Sequence, residues 1–333
     1  MHKAPSNSSI ELARAVKMSQ FIGLLHISYN IADKWIRDKI NHFATDFKLS
    51  SKGKPMKIAV HQMCSGIDPL CNAGKMEQGI YQASENKAVM YFAPEMAIVL
   101  DRDRKRAASH IVSESDSSAL KRLCEAARSC RMWVHAGSLP VLTDSGMKYA
   151  NRSIVIGPDG RIQARYDKMH LFDVDLSTGE SWRESAAYIG GSGPVAVQTP
   201  LGLLGLTICY DLRFPDLYSA YSKAVVDLIA IPAAFTVPTG QAHWQTMVRA
   251  RAIEAQAFVV AAAQSGSHED GRQTYGHSLV FDPWGETLLE MGDGEGVGYA
   301  TLDLNRISEV RAQVPVHANR RVIDMPVDIQ SGA

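Results

Sequence analysis

Apolar and polar positions change rhythm at Met56. Before it no strand-like apolar run occurs. Only Leu24, Leu25, Ala32, Trp35, Ile36, Ile40 and Phe43 recur at helical spacing, which predicts one amphipathic helix and then a Ser/Lys/Gly linker over Leu49 to Pro55. After it, short apolar runs alternate with helical periodicity. Strands are predicted at Lys57 to Gln62, Ala88 to Phe92, Trp133 to Leu139, Leu203 to Cys209, Leu228 to Ile231 and Phe258 to Ala262. Helices are predicted at Asn72 to Ala83, Asp116 to Arg128, Asp216 to Ala224 and Ala242 to Ala255. Two hairpins turn at Gly157-Pro158-Asp159-Gly160 and Asp282-Pro283-Trp284-Gly285, the first joining Asn151 to Ile156 with Arg161 to Tyr166, the second Ser278 to Phe281 with Thr287 to Glu290. Crossovers mixed with antiparallel hairpins, and no linker after Met56, predict a single two-sheet α/β domain over 56–325 with its helices outside. Residues 1–55 read as an extension and 326–333 as a tail.

Charge narrows the partners. Thirty-five Lys and Arg balance thirty-five Asp and Glu over 333 residues, so no global field draws the chain to nucleic acid or to an anionic membrane. A small-molecule partner is expected. Polar residues such as Lys17, His26 and Asn30 interrupt every window long enough to span a bilayer. The first 55 residues are basic, nine Lys and Arg against four acids, but favour Lys and carry Glu11, Asp33, Asp38 and Asp46. A cytoplasmic protein is therefore expected, with mitochondrial import through this segment, or a start of translation at Met56, as the alternatives.

Five cysteines, Cys64, Cys71, Cys124, Cys130 and Cys209, are odd in number and lack Cys-x-x-Cys spacing. A reducing compartment is the simpler home. HExxH, Walker A, dinucleotide-glycine and Gly-x-Ser-x-Gly patterns are missing, so neither metal nor cofactor is expected. What remains is a carboxylate, an amine and a thiol, each at a predicted strand end: Glu95, Lys168 and Cys209. Carboxyl ends of strands are where clefts form in α/β sheets.

Singly, each has a blander reading. Cys209 could be a small core residue, Lys168 an exposed charge, and Glu95 an acceptor for a helix N-terminus. Together they make a thiol enzyme. A cysteine thiol with a pKa near ~8.5 is mostly protonated at neutral pH, so a base must take its proton or a cation must hold its anion. Glu95 and Lys168 supply one each. Attack on an amide carbon creates an oxyanion that Lys168 and the backbone N–H of Tyr210 could hold, and Glu95 would protonate the leaving group and then activate water. A Cys/His pair is the competing design; His170, His243 and His277 are weighed against it as structural or substrate-lining.

The residues also carry a resemblance. Phe92-Ala93-Pro94-Glu95, Asp167-Lys168-Met169-His170-Leu171-Phe172-Asp173 and Cys209-Tyr210-Asp211-Leu212-Arg213-Phe214-Pro215 resemble the signature blocks of the nitrilase (carbon–nitrogen hydrolase) superfamily. Further blocks run from Pro232 to Thr236, Thr239 to Trp244 and Arg249 to Glu254, and the resemblance covers Met56 to Arg321. The Cys209 block and the Thr-Gly-x-Ala-His-Trp stretch are most similar to the Nit-type amidases of deaminated glutathione and 2-oxo acid ω-amides. The resemblance implies a four-layer α-β-β-α sandwich, a homodimer, no cofactor and no metal, and a Glu95–Lys168–Cys209 triad oriented by a second glutamate, Glu184.

The implied reaction turns a small carboxamide into a carboxylate and ammonia through a Cys209 thioester. Nitrile or N-carbamoyl hydrolysis is the enzymatic alternative, and an interaction protein on the same fold the non-enzymatic one. Phe172, Arg213, Thr236 and His243 are the expected substrate contacts, with Arg213 for a carboxylate unless it is tied up in an ion pair. The loop Ser177-Thr178-Gly179-Glu180-Ser181 departs from the family's commoner Pro-Gly turn and is expected to border the pocket. Arg249, Arg251 and Glu254, at helical spacing, read as packing or dimer-contact ion pairs.

Overall fold

Twofold alternation of side chains explains the layers. In strand β1 (Met56–Gln62), Ile58 and Val60 face one apolar cluster while Ala59 faces another, so both sides of the strand are buried. The same split recurs in the second strand at Met90 and Phe92 against Tyr91. A sheet that is apolar on both faces needs a cover on each, and the computed structural model supplies a second sheet on one and helices on the other. It describes residues 54–175, Gly179 and 181–321. The expected helix through Phe43, the linker up to residue 53, residues 177, 178 and 180 of the loop, and the tail at 326–333 fall outside those residues.

The first half of the domain contains β1, α1 (Pro69–Glu85), β2 (Met90–Phe92), α2 (Ser118–Cys130), β3 (Trp133–Leu142), β4 (Tyr149–Ile156) and β5 (Ile162–Asp167). A small ribbon, β6 (Asp173–Asp175) with β7 (Ser181–Arg183), precedes the second half. That half contains β8 (Val195–Thr199), β9 (Gly202–Leu206), α3 (Pro215–Lys223), β10 (Leu228–Ala230), α4 (Val237–Ala255) and β11 (Phe258–Ala261). It continues through β12 (Ser265–Ser267), β13 (Gln273–Tyr275), β14 (Leu279–Phe281), β15 (Thr287–Glu290), β16 (Gly296–Leu302) and α5 (Asn305–Gln313). One six-stranded sheet has the order β16-β1-β2-β3-β4-β5, the other β15-β14-β11-β10-β9-β8. Val155 and Tyr166 of the first sheet share a core with Leu204, Ile229 and Val259 of the second. Met76, Ile80 and Leu123 of α1 and α2 cover the outer face of the first, and Trp244, Val248 and Ala252 of α4 pack with the second. The result is an α-β-β-α sandwich, as expected.

Helix starts follow local chemistry. Asp68 accepts the N–H groups of Leu70 and Cys71 ahead of Pro69, and Ser117 accepts that of Leu120. α4 begins five residues earlier than its apolar pattern predicts, because Pro238 fits the first turn, where its missing N–H costs nothing. One expectation is corrected: Cys209 does not end a strand. β9 stops at Leu206, and Cys209 opens a 3-10 turn through Arg213. β16 lacked a readable pattern because Gly296 and Gly298 break its apolar run, yet it pairs with all of β1 from Met56↔Leu302 to Gln62↔Gly296.

Candidate active site

Three loops, following β2 and β5 of one sheet and β9 of the other, bring the site together. Glu95 follows β2 in a bend that lies directly on β3: Gly137, at φ +65°, touches it so closely that a Cβ there would sit 1.9 Å from the Pro94 carbonyl. Only glycine fits that crossing. Lys168 follows β5, and its N–H donates to the Asn151 carbonyl on β4 (2.9 Å), which continues the β4–β5 register. Cys209 adopts φ +46°, a left-handed conformation that costs a non-glycine residue on the order of 1–3 kcal/mol and is held by its surroundings. The Cys209 N–H donates to Pro232 (2.9 Å), and the Asp211 carboxylate accepts from Ile208 N (2.9 Å), Tyr166 Oη (2.7 Å) and His170 N (3.0 Å). Asp211 therefore ties the cysteine turn to the segment that carries Lys168.

Lys168 Nζ lies 2.9 Å from Glu95 Oε1 and 3.0 Å from Glu184 Oε2. Asn151 Nδ2 closes a ring, donating to Glu95 Oε1 (2.9 Å) and Glu184 Oε1 (3.2 Å). The second Glu95 oxygen accepts from Ala234 N (3.0 Å), and Glu184 Oε2 accepts from Phe172 N (2.7 Å). Such bonds orient both carboxylates before any ligand arrives. Glu95, Lys168 and Cys209 are 4%, 2% and 7% exposed, so their mutual interactions are little screened.

Burial pushes the Cys209 thiol well above its ordinary range, and the neighbouring Glu95 carboxylate pushes the same way against the opposing pull of Lys168. The resting sulfur is a thiol. Burial acts to lower Lys168, but Glu184, then Glu95, outweigh it and hold the ammonium well above its usual value. One cation thus sits between two carboxylates beside a protonated nucleophile.

All four groups line one cavity of about 270 Å³, together with Tyr210, Phe172, Arg213 and Thr236. The Tyr210 N–H lies at the start of the 3-10 turn and has no acceptor among the described residues. Arg213 lies over Phe235 at 5.6 Å and near His243 Nδ1 (3.3 Å), and makes no ion pair among the described residues. His243 contacts Arg213 and stands outside the cavity wall. His170 stacks on Phe214 at 3.7 Å and bonds Asp211 Oδ1 (2.7 Å), while His277 stacks on Tyr275 at 4.2 Å. Neither imidazole is hydrogen-bonded to the sulfur. Arg251 is a packing residue, donating twice to the Leu212 carbonyl and pairing with Glu254.

Asn151, Asp211, Tyr188 and Arg272 also belong to this neighbourhood and were not picked out from the sequence. Asn151 reads there as an ordinary strand residue, and only the β4–β5 register sets it beside Lys168. Asp211 stands inside the cysteine block, but its four bonds depend on loops distant in the chain. Among the described residues no cluster of three or more His, Cys, Asp or Glu is arranged to hold a metal, and no helix is long and apolar enough to cross a membrane.

Comparison with known proteins adds an independent line. The Carbon-nitrogen hydrolase family matches residues 57–312. A deaminated glutathione amidase of Yersinia enterocolitica is 35% identical over 275 residues, covering 81% of this chain and 94% of that protein. A Synechocystis protein of the same name is 37% identical, covering 79% and 97%. The nitrilase and fragile histidine triad fusion protein NitFhit of Caenorhabditis elegans is 37% identical in sequence over 79% of this chain, which spans 60% of that fusion protein. Its crystal structure superposes with a TM-score of 0.75, covering 80% of this chain and 65% of that one. Nit3 of Saccharomyces cerevisiae, described as a member of branch 10 of the nitrilase superfamily, superposes at 0.73 with 28% identity, over 81% and 98% of the two chains.

Proposed function

The chain belongs to the carbon–nitrogen hydrolase family and is an amidase of small amides, and we propose that Glu95, Lys168 and Cys209 carry out its reaction. The observation behind this reading is the Lys168 ammonium held between Glu95 and Glu184 (2.9 and 3.0 Å) in the cavity that Cys209 lines. As the sulfur attacks the amide carbon, its proton passes to Glu95, the carboxylate whose charge acts on the thiol. The carbonyl electron pair moves onto oxygen, where Lys168 and the Tyr210 N–H stabilise it. Collapse breaks the C–N bond, and the departing nitrogen takes the proton from Glu95. Water then gives a proton to Glu95 as its oxygen attacks the thioester, and that proton returns to the sulfur as the carboxylic product leaves. Glu184 and Asn151 are positioning residues.

The substrate in this reading is an amide of a 2-oxo acid, of the kind named for the deaminated glutathione amidases. Arg213, free of acidic partners among the described residues, receives its carboxylate; Phe172 and Thr236 line the same space, and His243 acts through Arg213. Residues 56–325 form the hydrolase domain and residues 1–55 an extension, so a chain starting at Met56 retains the activity. The protein works in the cytoplasm as a homodimer, which covers the exposed Ile253 and Trp284; light scattering would give twice the chain mass. The deciding experiment incubates the protein with amides, N-carbamoyl compounds and nitriles and follows the product and the intact mass. A transient acyl adduct at Cys209 with amides, absent in Cys209→Ala, is expected. Turnover that survives Cys209→Ala would overturn the assignment.

A further inference from the structure

The wall of the cavity beyond the reacting groups has its own construction. From the nucleophile turn a run of rings leads away: Tyr210 lies 5.1 Å from Phe172, and Phe172 lies 6.3 Å from Trp182. At the end of this run Arg272 lies over the Trp182 ring at 5.1 Å, with Arg102 near the same ring at 5.8 Å. All of these residues line the cavity.

The Arg272 guanidinium is held in a particular way. Its Nε donates to Asp270 Oδ2 (2.7 Å), and the Asp270 side chain is wholly buried. That carboxylate is itself fixed by the backbone N–H groups of Arg102 (2.7 Å) and Arg272 (3.1 Å). The Arg272 side chain is 17% exposed, yet neither terminal nitrogen has a hydrogen-bond partner among the described residues. A guanidinium anchored through Nε and lying over an indole is pre-organised: much of the entropy of placing it is already lost, and its outer NH₂ groups remain to be satisfied. Arg102, an exposed residue, adds a second positive charge. Two cations 5–6 Å from one ring centroid, with Asp270 bound to Arg272 and the nearby Asp101 paired with Arg106 (2.7 Å), suit an anion.

We infer that Arg272, with Arg102 beside it, forms a remote carboxylate subsite, so that the preferred substrate carries an anionic group separated from its scissile amide by a spacer running along Phe172 and Trp182. This rests on the proposed hydrolytic reading for what binds in the cavity, and extends it by assigning the far end of the substrate. Arg213 belongs to the end near the nucleophile, Arg272 to the far one.

Binding to a Cys209→Ala protein tests the subsite without requiring turnover. Titration calorimetry with succinyl-Ala-Gly and with its C-terminal carboxamide compares a free and a capped far end on one scaffold. Binding is expected to be roughly 10–100-fold tighter for the free carboxylate, as for a charge-assisted bidentate pair. Arg272→Met in the same background should bring the two affinities to within a few-fold, and Arg272→Lys should keep part of the difference. If Arg272→Met fails to fold, Arg102→Met, together with the loss of preference on raising salt, reads the same subsite. Equal affinities for the two ligands, or a preference that survives Arg272→Met, overturn the inference. Turnover assays on wild-type protein separate the two readings: amide hydrolysis without carboxylate preference sinks the subsite alone, while carboxylate-selective binding without hydrolysis sinks only the reaction.

Discussion

Two cysteines in this molecule each have ionisable company, and only one arrangement is poised for chemistry. Cys64 lies 3.6 Å from His268 Nδ1, the distance of a Cys/His pair, while Cys209 is surrounded by Glu95 and Lys168. The imidazole beside Cys64 is already committed. Its Nδ1 faces the Ser65 carbonyl at 2.9 Å and must therefore carry the hydrogen, and its Nε2 meets the Thr274 hydroxyl at 2.7 Å. Burial keeps His268 below its usual pKa, so the ring is neutral and its one lone pair faces Thr274. No base faces the Cys64 sulfur, whose own hydrogen bond runs to the Ser267 carbonyl (3.4 Å). At Cys209 the base, the cation and the cavity coincide. Proximity of thiol and imidazole is thus a poor guide to reactivity unless the second bond of each ring nitrogen is followed.

The largest contrast is in turnover. Cys209→Ala should lower amide hydrolysis by roughly 10⁴ or more, since no other sulfur can take its place. Cys64→Ala should change kcat/KM less than twofold. Comparable losses from both substitutions would break the comparison, because Cys64 would then share the chemistry. Removing the cation comes next: Lys168→Met should cost about 10²–10³ in kcat, the usual effect of losing an oxyanion donor. It also leaves Glu95 and Glu184 facing one another, so the double variant Lys168→Met/Glu184→Gln, compared by thermal melting, separates repulsion from chemistry. A kcat restored by the second substitution would mean that Lys168 serves only to neutralise charge.

Glu95→Gln sharpens the comparison through its sign. Burial is the main cause of the raised Cys209 thiol, and the Glu95 charge is the next. Removing that charge lowers the thiol pKa, so more of the sulfur is thiolate at any pH below it. Alkylation of substrate-free Cys209 by iodoacetamide should accelerate, by about tenfold for one pKa unit, even as hydrolysis collapses for want of a proton carrier. Slower alkylation together with slower hydrolysis would show that Glu95 must remove the proton even for a simple electrophile.

The sequence already marks Glu95, Lys168 and Cys209, because together they supply the base, the cation and the nucleophile that a thiol hydrolase needs, within motif blocks that resemble the family's. A two-sheet domain with its helices outside is equally readable from the crossovers and hairpins, and the four-layer order follows from the family resemblance. What escapes is whatever depends on register or on loops meeting across the sandwich. Asn151 becomes significant only when β4 pairs with β5, and Arg272 only when Asp270 and Trp182 fold against it. The Cys209 turn misleads for a related reason. Leu206-Thr207-Ile208 carries strand propensity up to the cysteine, and the bonds Asp211 accepts from Ile208 N–H, Tyr166 and His170 override it. β16 is invisible for the opposite cause, since its glycines have no propensity to show, and β1 alone recruits it.

The smallest expected effect concerns the inert site. Burial raises the Cys64 thiol first, and Glu295 raises it further, while Lys75, paired with Glu295 at 3.1 Å, works the other way. Glu295→Gln removes the negative charge and leaves the Lys75 ammonium unopposed, so the Cys64 pKa falls and its alkylation quickens. Both Glu295 and Lys75 are 43% exposed, so water screens the effect and the gain should be about two- to threefold. Mass mapping of iodoacetamide adducts at pH 7 and pH 8.5 reads it directly. The gain should be larger at the lower pH, where the thiolate fraction is far from saturation. Charge alone makes Cys64 slightly more reactive and still gives it nothing to hydrolyse, because it has neither a proton carrier nor an oxyanion donor. Measurable amide turnover by Glu295→Gln in a Cys209→Ala background would refute that distinction, and with it the claim that the Glu–Lys surroundings, more than the thiolate itself, set Cys209 apart.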